Sequence, residues 1–192
     1  KSIAVCGDPE ARHGIVLTAS YPAKRMGVKT GMPIWEAKQH CRDLIIVPAS
    51  YGKYQKYSGY VREVFNDYTD QVESFGLDEA WLDITGSLGL FGDPVKIAKE
   101  ISDRIKRELG ITVSIGVSFN KITAKLGSDY KKPDAITVIE PDTYKQIVYP
   151  LPVGDLLYVG NATQRKLGSY GIRTIGQLAE TNPEVLKGWF GV

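Results

Sequence analysis

The residues most suited to chemistry are two adjacent acids, Asp78 and Glu79, between two apolar segments. Neighbouring carboxylates repel unless a cation neutralises them, and a hard cation such as Mg²⁺ prefers oxygen ligands. Adjacent side chains of a regular strand point to opposite faces, so these acids can converge only at a strand end or bend. These residues alone are compatible with a metal site, completed by a third acid or a substrate phosphate, and equally with a solvated acidic turn. Asp83 is interpreted as a structural acid, hydrogen-bonded near a strand end.

A second candidate site lies between Thr18 and Arg25, where a hydroxyl, an aromatic ring and two cations occur within eight residues. Lys24 or Arg25 would neutralise a polyphosphate, and the Thr18 hydroxyl would donate a hydrogen bond to it. Lys131-Lys132 forms a third cationic group at the end of a predicted helix. As isolated residues, these lysines are better explained as complements of the helix dipole.

Composition excludes several classes of protein. With 43% hydrophobic and 24% charged residues, the chain is typical of globular proteins rather than fibrous or disordered ones. No apolar run approaches the roughly 20 residues of a membrane span, and the N-terminal apolar stretch is too short for a signal peptide, so we expect a soluble cytoplasmic protein. The formal charge of +2 gives no evidence of nucleic-acid binding by itself. The cysteines and histidines lack the spacing of a zinc site: Cys6, His13, His40 and Cys41.

The middle of the chain has the clearest periodicity. Apolar residues recur on one helical face from Tyr54 to Tyr68, and a second helix begins at Asp93-Pro94 and ends at Gly110. Between and after these helices, the sequence predicts four strands, at 71–76, 80–85, 111–118 and 136–139. It also predicts one more helix, at 120–129, between the last two strands. This order predicts an α+β fold with helices on one face of the sheet.

The two ends of the chain differ from the middle. The first 48 residues alternate short strands and helices, with a turn at Gly7-Asp8-Pro9 and a strand at 44–48. The residues after 140 are helical, with helices predicted at 162–170, from Thr174 to Ala179, and from Asn182 onwards. Two short helices joined by a glycine-containing turn are similar to a helix-hairpin-helix unit, which binds nucleic-acid backbone through main-chain amides.

In combination, these segments resemble the Y-family translesion DNA polymerases, the DinB/UmuC group. Residues 20–24 and 27–33 are similar to the S-Y-E-A-R-x-x-G-V-x-x-x-M-P fingers motif of that family. Residues 74–85 are similar to its S-x-D-E-A-Y-L-D-V-T palm motif, with one extra residue before Leu77. Residues 114–118, 124–129 and 132–134 are similar to its third block, which ends in K-P-N-G.

The resemblance implies an antiparallel palm sheet with helices on one face, a small fingers subdomain and a helical, helix-hairpin-helix-like thumb. It implies fingers at 1–48, a palm at 49–140 and a partial thumb at 141–192. The implied activity is DNA-directed DNA polymerase, a nucleotidyltransferase of translesion synthesis and DNA repair in the SOS response to DNA damage. Two Mg²⁺ ions, primer–template DNA and deoxynucleoside triphosphates are the implied cofactors and partners, with a sliding clamp as a further candidate partner and no membrane.

The resemblance also assigns roles to individual residues. Asp78 and Glu79 would be the catalytic, metal-coordinating acids. The incoming triphosphate would be bound by residues of the fingers and the palm: Thr18, Tyr21, Lys24, Arg25 and Lys132. Gly160, Asn161 and Thr163 would contact the DNA backbone.

The chain departs from the family pattern at several positions. Lys24 replaces the usual Arg, which exchanges a bidentate fork for a point charge, and Pro22 and Ala135 replace the usual Glu and Gly. The hairpin motif at 158–161 has one glycine where two are common. The family's first strand, with a further metal-binding Asp and the aromatic residue that excludes ribonucleotides, is absent. We therefore expect a chain incomplete at both ends and inactive by itself.

Two alternatives remain open from the sequence. A non-catalytic DNA-binding or regulatory relative would also lack the first strand and have a weakened hairpin motif. A nucleotidyl cyclase has a similar palm, but its G-G-(D/E)-E-F hairpin does not occur here, since the segment at 75–80 has a single glycine and no aromatic residue after Glu79.

Overall fold

The structure, a computed structural model, describes residues 1–7 and 14–191. Asp8 and Pro9 of the predicted turn, and His13, lie outside the described residues. The chain divides into two compact units, Lys1–Lys56 and Tyr57–Val192. Among the described residues, no helix is both long and apolar enough to cross a membrane.

The first unit contains a three-stranded sheet of order β2-β1-β3, formed by β1 (Ile3–Cys6), β2 (Val16–Ala19) and β3 (Ile45–Pro48). Strand β1 runs antiparallel to β2 and parallel to β3. Helices α1 (Tyr21–Arg25) and α2 (Ile34–His40) complete the unit. Small and aliphatic side chains form its core, namely Ala4, Cys6, Val16, Ala23, Val28, Ala37, Cys41 and Leu44.

Two long helices supply the main core of the second unit. Helix α3 (Tyr51–Asn66) begins before the boundary between the units, and α5 (Pro94–Leu109) follows the short α4 (Leu88–Phe91). The limits predicted for α5 are confirmed: Asp93 caps its first turn, and Gly110 ends it with a φ of +68°. The buried side chains of this core are Val64, Tyr68, Ile97, Ile101 and Ile105.

The strands of the second unit form two separate pairs. Strands β4 (Val72–Phe75) and β5 (Glu79–Leu82) are antiparallel, whereas β6 (Ile115–Ser118) and β7 (Ile136–Ile139) are parallel. Helix α6 (Lys121–Tyr130) connects β6 to β7. We predicted an antiparallel sheet, but a crossover helix returns the chain in its original direction, so the second pair is parallel. The α+β class is confirmed.

Strand β6 is shorter than the sequence predicts. The alternating pattern at 111–118 indicated an eight-residue strand, but only its second half forms a ladder. Its partner β7 begins at Ile136, opposite Ile115, so the residues at 111–114 have no paired strand in the described chain. Alternation alone does not make a strand, because the backbone groups of a strand need a partner.

The end of the chain is helical, as predicted. It contains α7 (Tyr144–Val148), α8 (Asn161–Ser169), α9 (Ile175–Ala179) and α10 (Pro183–Phe190). Thr174 and Gln177 form a capping box at α9, and the Asn182 side chain caps α10. Buried Val153, Leu167 and Ile172 pack between these helices.

Candidate active site

The two predicted catalytic acids lie at the tip of the β4–β5 hairpin. Phe75 pairs with Glu79, so residues 76–78 form the turn between the strands. Gly76 has a φ of +71°, in the left-handed region that glycine adopts without strain, and its carbonyl accepts a 2.8 Å hydrogen bond from the Arg62 guanidinium. Asp78 is therefore the last residue of the turn and Glu79 the first of β5, at the kind of bend where neighbouring acids can converge.

Helix α6 lies along the face of the hairpin that carries Glu79. Alternate strand residues share a face, so Glu79 and Trp81 lie on the same face as Glu73, which is paired with Trp81. Lys121, the first residue of α6, forms an ion pair with Glu73 and accepts a 3.1 Å hydrogen bond from the Trp81 indole at its carbonyl. Its ammonium lies 5.1 Å from the centroid of the Trp81 ring. These contacts fix the start of α6 against β5.

One helical turn later, Lys125 is shared between two carboxylates. Its ammonium donates to Glu79 Oε1 and to Asp129 Oδ2, both at 2.8 Å. The second oxygen of Asp129 lies 2.6 Å from the ammonium of Lys132. Glu79, Lys125, Asp129 and Lys132 therefore form a row of alternating charges, which we call the charge network.

The charge network shifts the pKa values of its two central members, Lys125 and Asp129. Burial lowers the pKa of Lys125, but hydrogen bonds to Asp129 and Glu79 outweigh it, and the net pKa is raised above the ordinary value. Burial raises the pKa of Asp129, but hydrogen bonds from Lys125 and Lys132 outweigh it, and the net pKa is lowered. Lys125 is the least exposed member, with 17% of its side chain accessible.

Lys125 and Asp129 were not among the residues that the sequence predicted for the site. Their spacing of four on a predicted helix indicates a mutual ion pair. Nothing in the sequence indicates that the same lysine reaches Glu79, because that contact joins residues 46 positions apart. Lys132, which the sequence did select, is linked to Glu79 through these two residues.

Asp83 has the structural role that we predicted. Its Oδ1 accepts a 2.9 Å hydrogen bond from the backbone amide of Thr85, at the start of a 3-10 turn. Hydrogen bonds from the Thr85 side chain and backbone lower the pKa of Asp83. The Thr69 hydroxyl donates to the Asp83 carbonyl at 2.6 Å, so the residue anchors the end of β5.

In the first unit, the predicted nucleotide-binding residues cluster around the junction of β2 and α1. Thr18 lies on β2, and the other three are on α1, where buried Ala23 anchors the helix and leaves Tyr21, Lys24 and Arg25 exposed. The Lys24 ammonium lies 5.4 Å from the centroid of the Tyr21 ring. The Ser20 hydroxyl accepts a 3.0 Å hydrogen bond from the Ile3 amide, which ties the start of α1 to the sheet.

The predicted DNA-binding residues lie at the start of α8. Gly160 is the N-cap residue and Asn161 the first helical residue, both exposed, and Thr163 is half-buried. The N-cap residue is a glycine, so it has no side chain to cap the first amides of the helix. Tyr158, in the hairpin motif at 158–161, has a φ of +69° and is 82% exposed. Its backbone therefore has a conformation that glycine favours.

The acids available for a metal ion are few. Among residues 1–7 and 14–191, no three side chains of the types His, Cys, Asp and Glu are grouped closely enough to hold a metal ion. Asp78 and Glu79 supply two oxygen-donor groups of the kind that Mg²⁺ prefers. An ion bound there would take its other ligands from phosphate oxygens, water or further carboxylates.

Comparisons with known proteins give one family. The impB/mucB/samB family matches residues 1–129, more than half of the chain. DNA polymerase IV of Acetivibrio thermocellus is 56% identical over 97% of the chain and 47% of its own length. DNA polymerase IV 1 of Bacillus subtilis is 41% identical over 100% of the chain and 46% of its own length. The chain thus spans about half the length of the curated relatives it matches.

Solved structures agree with this match. The insertion ternary complex of Dbh DNA polymerase matches with a TM-score of 0.90 and 32% identity, over 100% of the chain and 56% of that structure. The crystal structure of DinB from Sulfolobus solfataricus matches with a TM-score of 0.88 and 32% identity over the same shares.

Proposed function

The chain belongs to the impB/mucB/samB family of Y-family proteins, and we propose that it forms part of a DNA-directed DNA polymerase of the translesion type. Residues 1–48 would be its fingers, 49–140 its palm and 141–192 part of its thumb. The observation that carries the proposal is the β4–β5 hairpin, at whose tip Asp78 and Glu79 are consecutive residues. Such a pair suits template-directed nucleotidyl transfer, whose chemistry depends on placing cations beside phosphate oxygens.

Asp78 and Glu79 would hold the metal ions. Y-family DNA polymerases are generally metal-dependent, and we propose Mg²⁺, with two ions at the site, because both protein ligands are carboxylates. When bound, such ions supply Lewis-acid stabilisation of the charge that develops on the phosphate oxygens and lower the pKa of the primer hydroxyl. The chain's own contribution is to fix the two acids on a rigid hairpin, with Gly76 and Arg62 defining the turn.

Other residues would position the substrates. The exposed cations Lys24 and Arg25, with Thr18 and Tyr21, suit the triphosphate of a deoxynucleotide, and Lys132 is a further proposed nucleotide-binding residue. Lys24 and Tyr21 are already in contact, so helix α1 presents the charge and the ring together. Gly160, Asn161 and Thr163, at the start of α8, would hold the phosphate backbone of primer–template DNA.

The proposal is tested by primer extension and DNA binding on the intact protein. Asp78→Asn and Glu79→Gln should each reduce extension by at least about a hundredfold, because each removes a charge that a metal ion needs. DNA affinity should stay within about twofold, since neither acid is placed at the DNA backbone. Glu73→Gln is the matched control, because it alters an acid on the same hairpin face that binds Lys121 rather than a metal.

Two results would contradict the proposal. Extension that survives in Glu79→Gln as well as in Glu73→Gln would remove the hairpin acids from the reaction. An unmodified protein that binds primed DNA but extends no primer with Mg²⁺ present would favour a non-catalytic DNA-binding relative instead.

A further inference from the structure

The Glu79 carboxylate already has a cationic partner. One of its oxygens lies 2.8 Å from the Lys125 ammonium, and the Lys125 side chain is 17% exposed against 33% for Glu79. An ion pair of this length between partly buried groups is screened less by salt than a surface pair. A divalent cation that takes Glu79 as a ligand therefore has to compete with Lys125 for the same carboxylate.

Lys125 keeps a carboxylate partner when a cation binds Glu79. Its ammonium is held equally by Asp129, at the same distance of 2.8 Å. A partly buried ammonium with no carboxylate partner would destabilise the protein, but Lys125 keeps Asp129 as a partner and so avoids that cost. Lys132 binds the other Asp129 oxygen at 2.6 Å and so limits how strongly Asp129 attracts Lys125.

We propose that Lys125 is a positioning residue that holds Glu79 in the metal-free protein and releases it to an incoming divalent cation, while Asp129 retains the displaced ammonium. This inference rests on the proposed function, because it takes Glu79 as a metal ligand. It adds that the Lys125 ammonium competes with the metal ion for Glu79. The strength of this competition depends on how strongly Asp129 attracts the same ammonium.

The inference predicts effects of opposite sign for two neighbouring substitutions. Lys125→Met keeps most of the length of the side chain but removes the ammonium that competes for Glu79, so a divalent cation should bind more tightly, on the order of fivefold. Asp129→Asn leaves Lys125 with Glu79 as its remaining ionised partner, so the cation should bind more weakly, by about threefold. In the double variant there is no ammonium to redirect, so Asp129→Asn should have an effect of less than about 1.5-fold.

The experiment is a titration of the intact protein with Mn²⁺ in the absence of DNA and nucleotide, with free Mn²⁺ followed by electron paramagnetic resonance. Lys121→Met is the matched control for Lys125→Met: it removes a lysine one turn earlier on α6 that pairs with Glu73 instead of Glu79. Asp134→Asn is the matched control for Asp129→Asn, because Asp134 pairs with Lys106. Circular dichroism checks that each variant is folded.

The expected result is tighter Mn²⁺ binding in Lys125→Met than in Lys121→Met, and weaker binding in Asp129→Asn than in Asp134→Asn. A substitution that merely damaged the fold would weaken binding, so the gain in Lys125→Met reports the competitor specifically. Binding in Lys125→Met that is unchanged or weaker than in its control would overturn the inference. So would an Asp129→Asn effect of equal size with and without Lys125.

Failure of the proposed function would look different. If Glu79→Gln binds Mn²⁺ as well as the unmodified protein does, Glu79 is not a metal ligand, and the proposed metal site falls together with the inference. If Glu79→Gln loses binding while Lys125→Met behaves like its control, the metal site stands and only the competitor is refuted.

Discussion

Gly116 on β6 allows α6 to approach the strand more closely than any other residue would permit. A Cβ atom built on Gly116 would lie 1.8 Å from the Ala124 carbonyl oxygen and 2.6 Å from the Ser128 amide nitrogen, both in the backbone of α6. Gly127, on the facing side of α6, brings the two backbones together: its own Cβ would lie 3.1 Å from the Gly116 Cα. Gly116→Ala therefore cannot be accommodated without moving the helix.

The size of the effect follows from these distances. Ordinary contacts to a Cβ begin at about 3.4 Å, so α6 has to move outwards by roughly 1.5 Å. Overpacking of a close-packed interface typically costs about 1–3 kcal/mol, and a clash with backbone atoms of two α6 residues belongs at the upper end, at about 3 kcal/mol. For a chain of this length, that loss lowers Tm by roughly 6–12 °C. The same shift would disturb the 2.8 Å contact between Lys125 and Glu79.

The assay is thermal unfolding followed by circular dichroism, with Gly59→Ala as the control. Gly59 lies inside α3, and an added Cβ would meet nothing within 4 Å, so alanine should raise stability there by about 0.5–1 kcal/mol through its helix propensity. A Gly116→Ala variant that melts within about 2 °C of the unmodified protein, while Gly59→Ala behaves as expected, would refute the account of the β6–α6 contact.

Three further predictions concern single residues. The folded pKa of Asp129 lies below its ordinary value of 3.8, so the ionised side chain stabilises the fold above that pH, and this stabilisation is lost as the pH falls through the lower folded value. Asp129→Asn should therefore flatten the fall in unfolding free energy below about pH 4, measured by urea titration. An unchanged slope would contradict this. Lys24→Ala should raise the KM for nucleotide, measured by steady-state extension, more than the Kd for DNA, measured by a DNA-binding assay. Equal changes in the two constants would assign Lys24 to DNA binding instead. Tyr158→Asn should raise the free energy of unfolding by about 0.5–1 kcal/mol, because asparagine tolerates a φ of +69° better than tyrosine; a loss of stability would show that the contact of the ring with Phe75 matters more.

Local features of the fold could be predicted from the sequence. The limits of α5 follow from Asp93-Pro94 and Gly110, and the start of α9 follows from Thr174, because caps and stops depend on residues within a few positions. The position of Asp78 and Glu79 at a bend was predictable for the same reason. The length of β6 was not, because it depends on where a partner strand begins.

The contacts that surround the candidate site could not be predicted. The pairing of Lys125 with Glu79 and that of Lys121 with Glu73 both depend on where α6 crosses the hairpin, which no local pattern encodes. The role of Gly116 is hidden for a similar reason: an alternating strand pattern does not indicate which small residue faces a helix. Tertiary packing decides these features after the local elements have formed.

The indole of Trp81 gives the protein a built-in optical reporter. Its N–H is bonded to the first residue of α6, and an ammonium lies over its ring, so its fluorescence depends on where that helix begins. The chain has two other tryptophans, Trp35, which is 65% exposed, and Trp189, which is stacked on Tyr170. Replacing both with phenylalanine leaves a single tryptophan, whose fluorescence during stopped-flow mixing with metal or nucleotide would follow movements of α6 in real time.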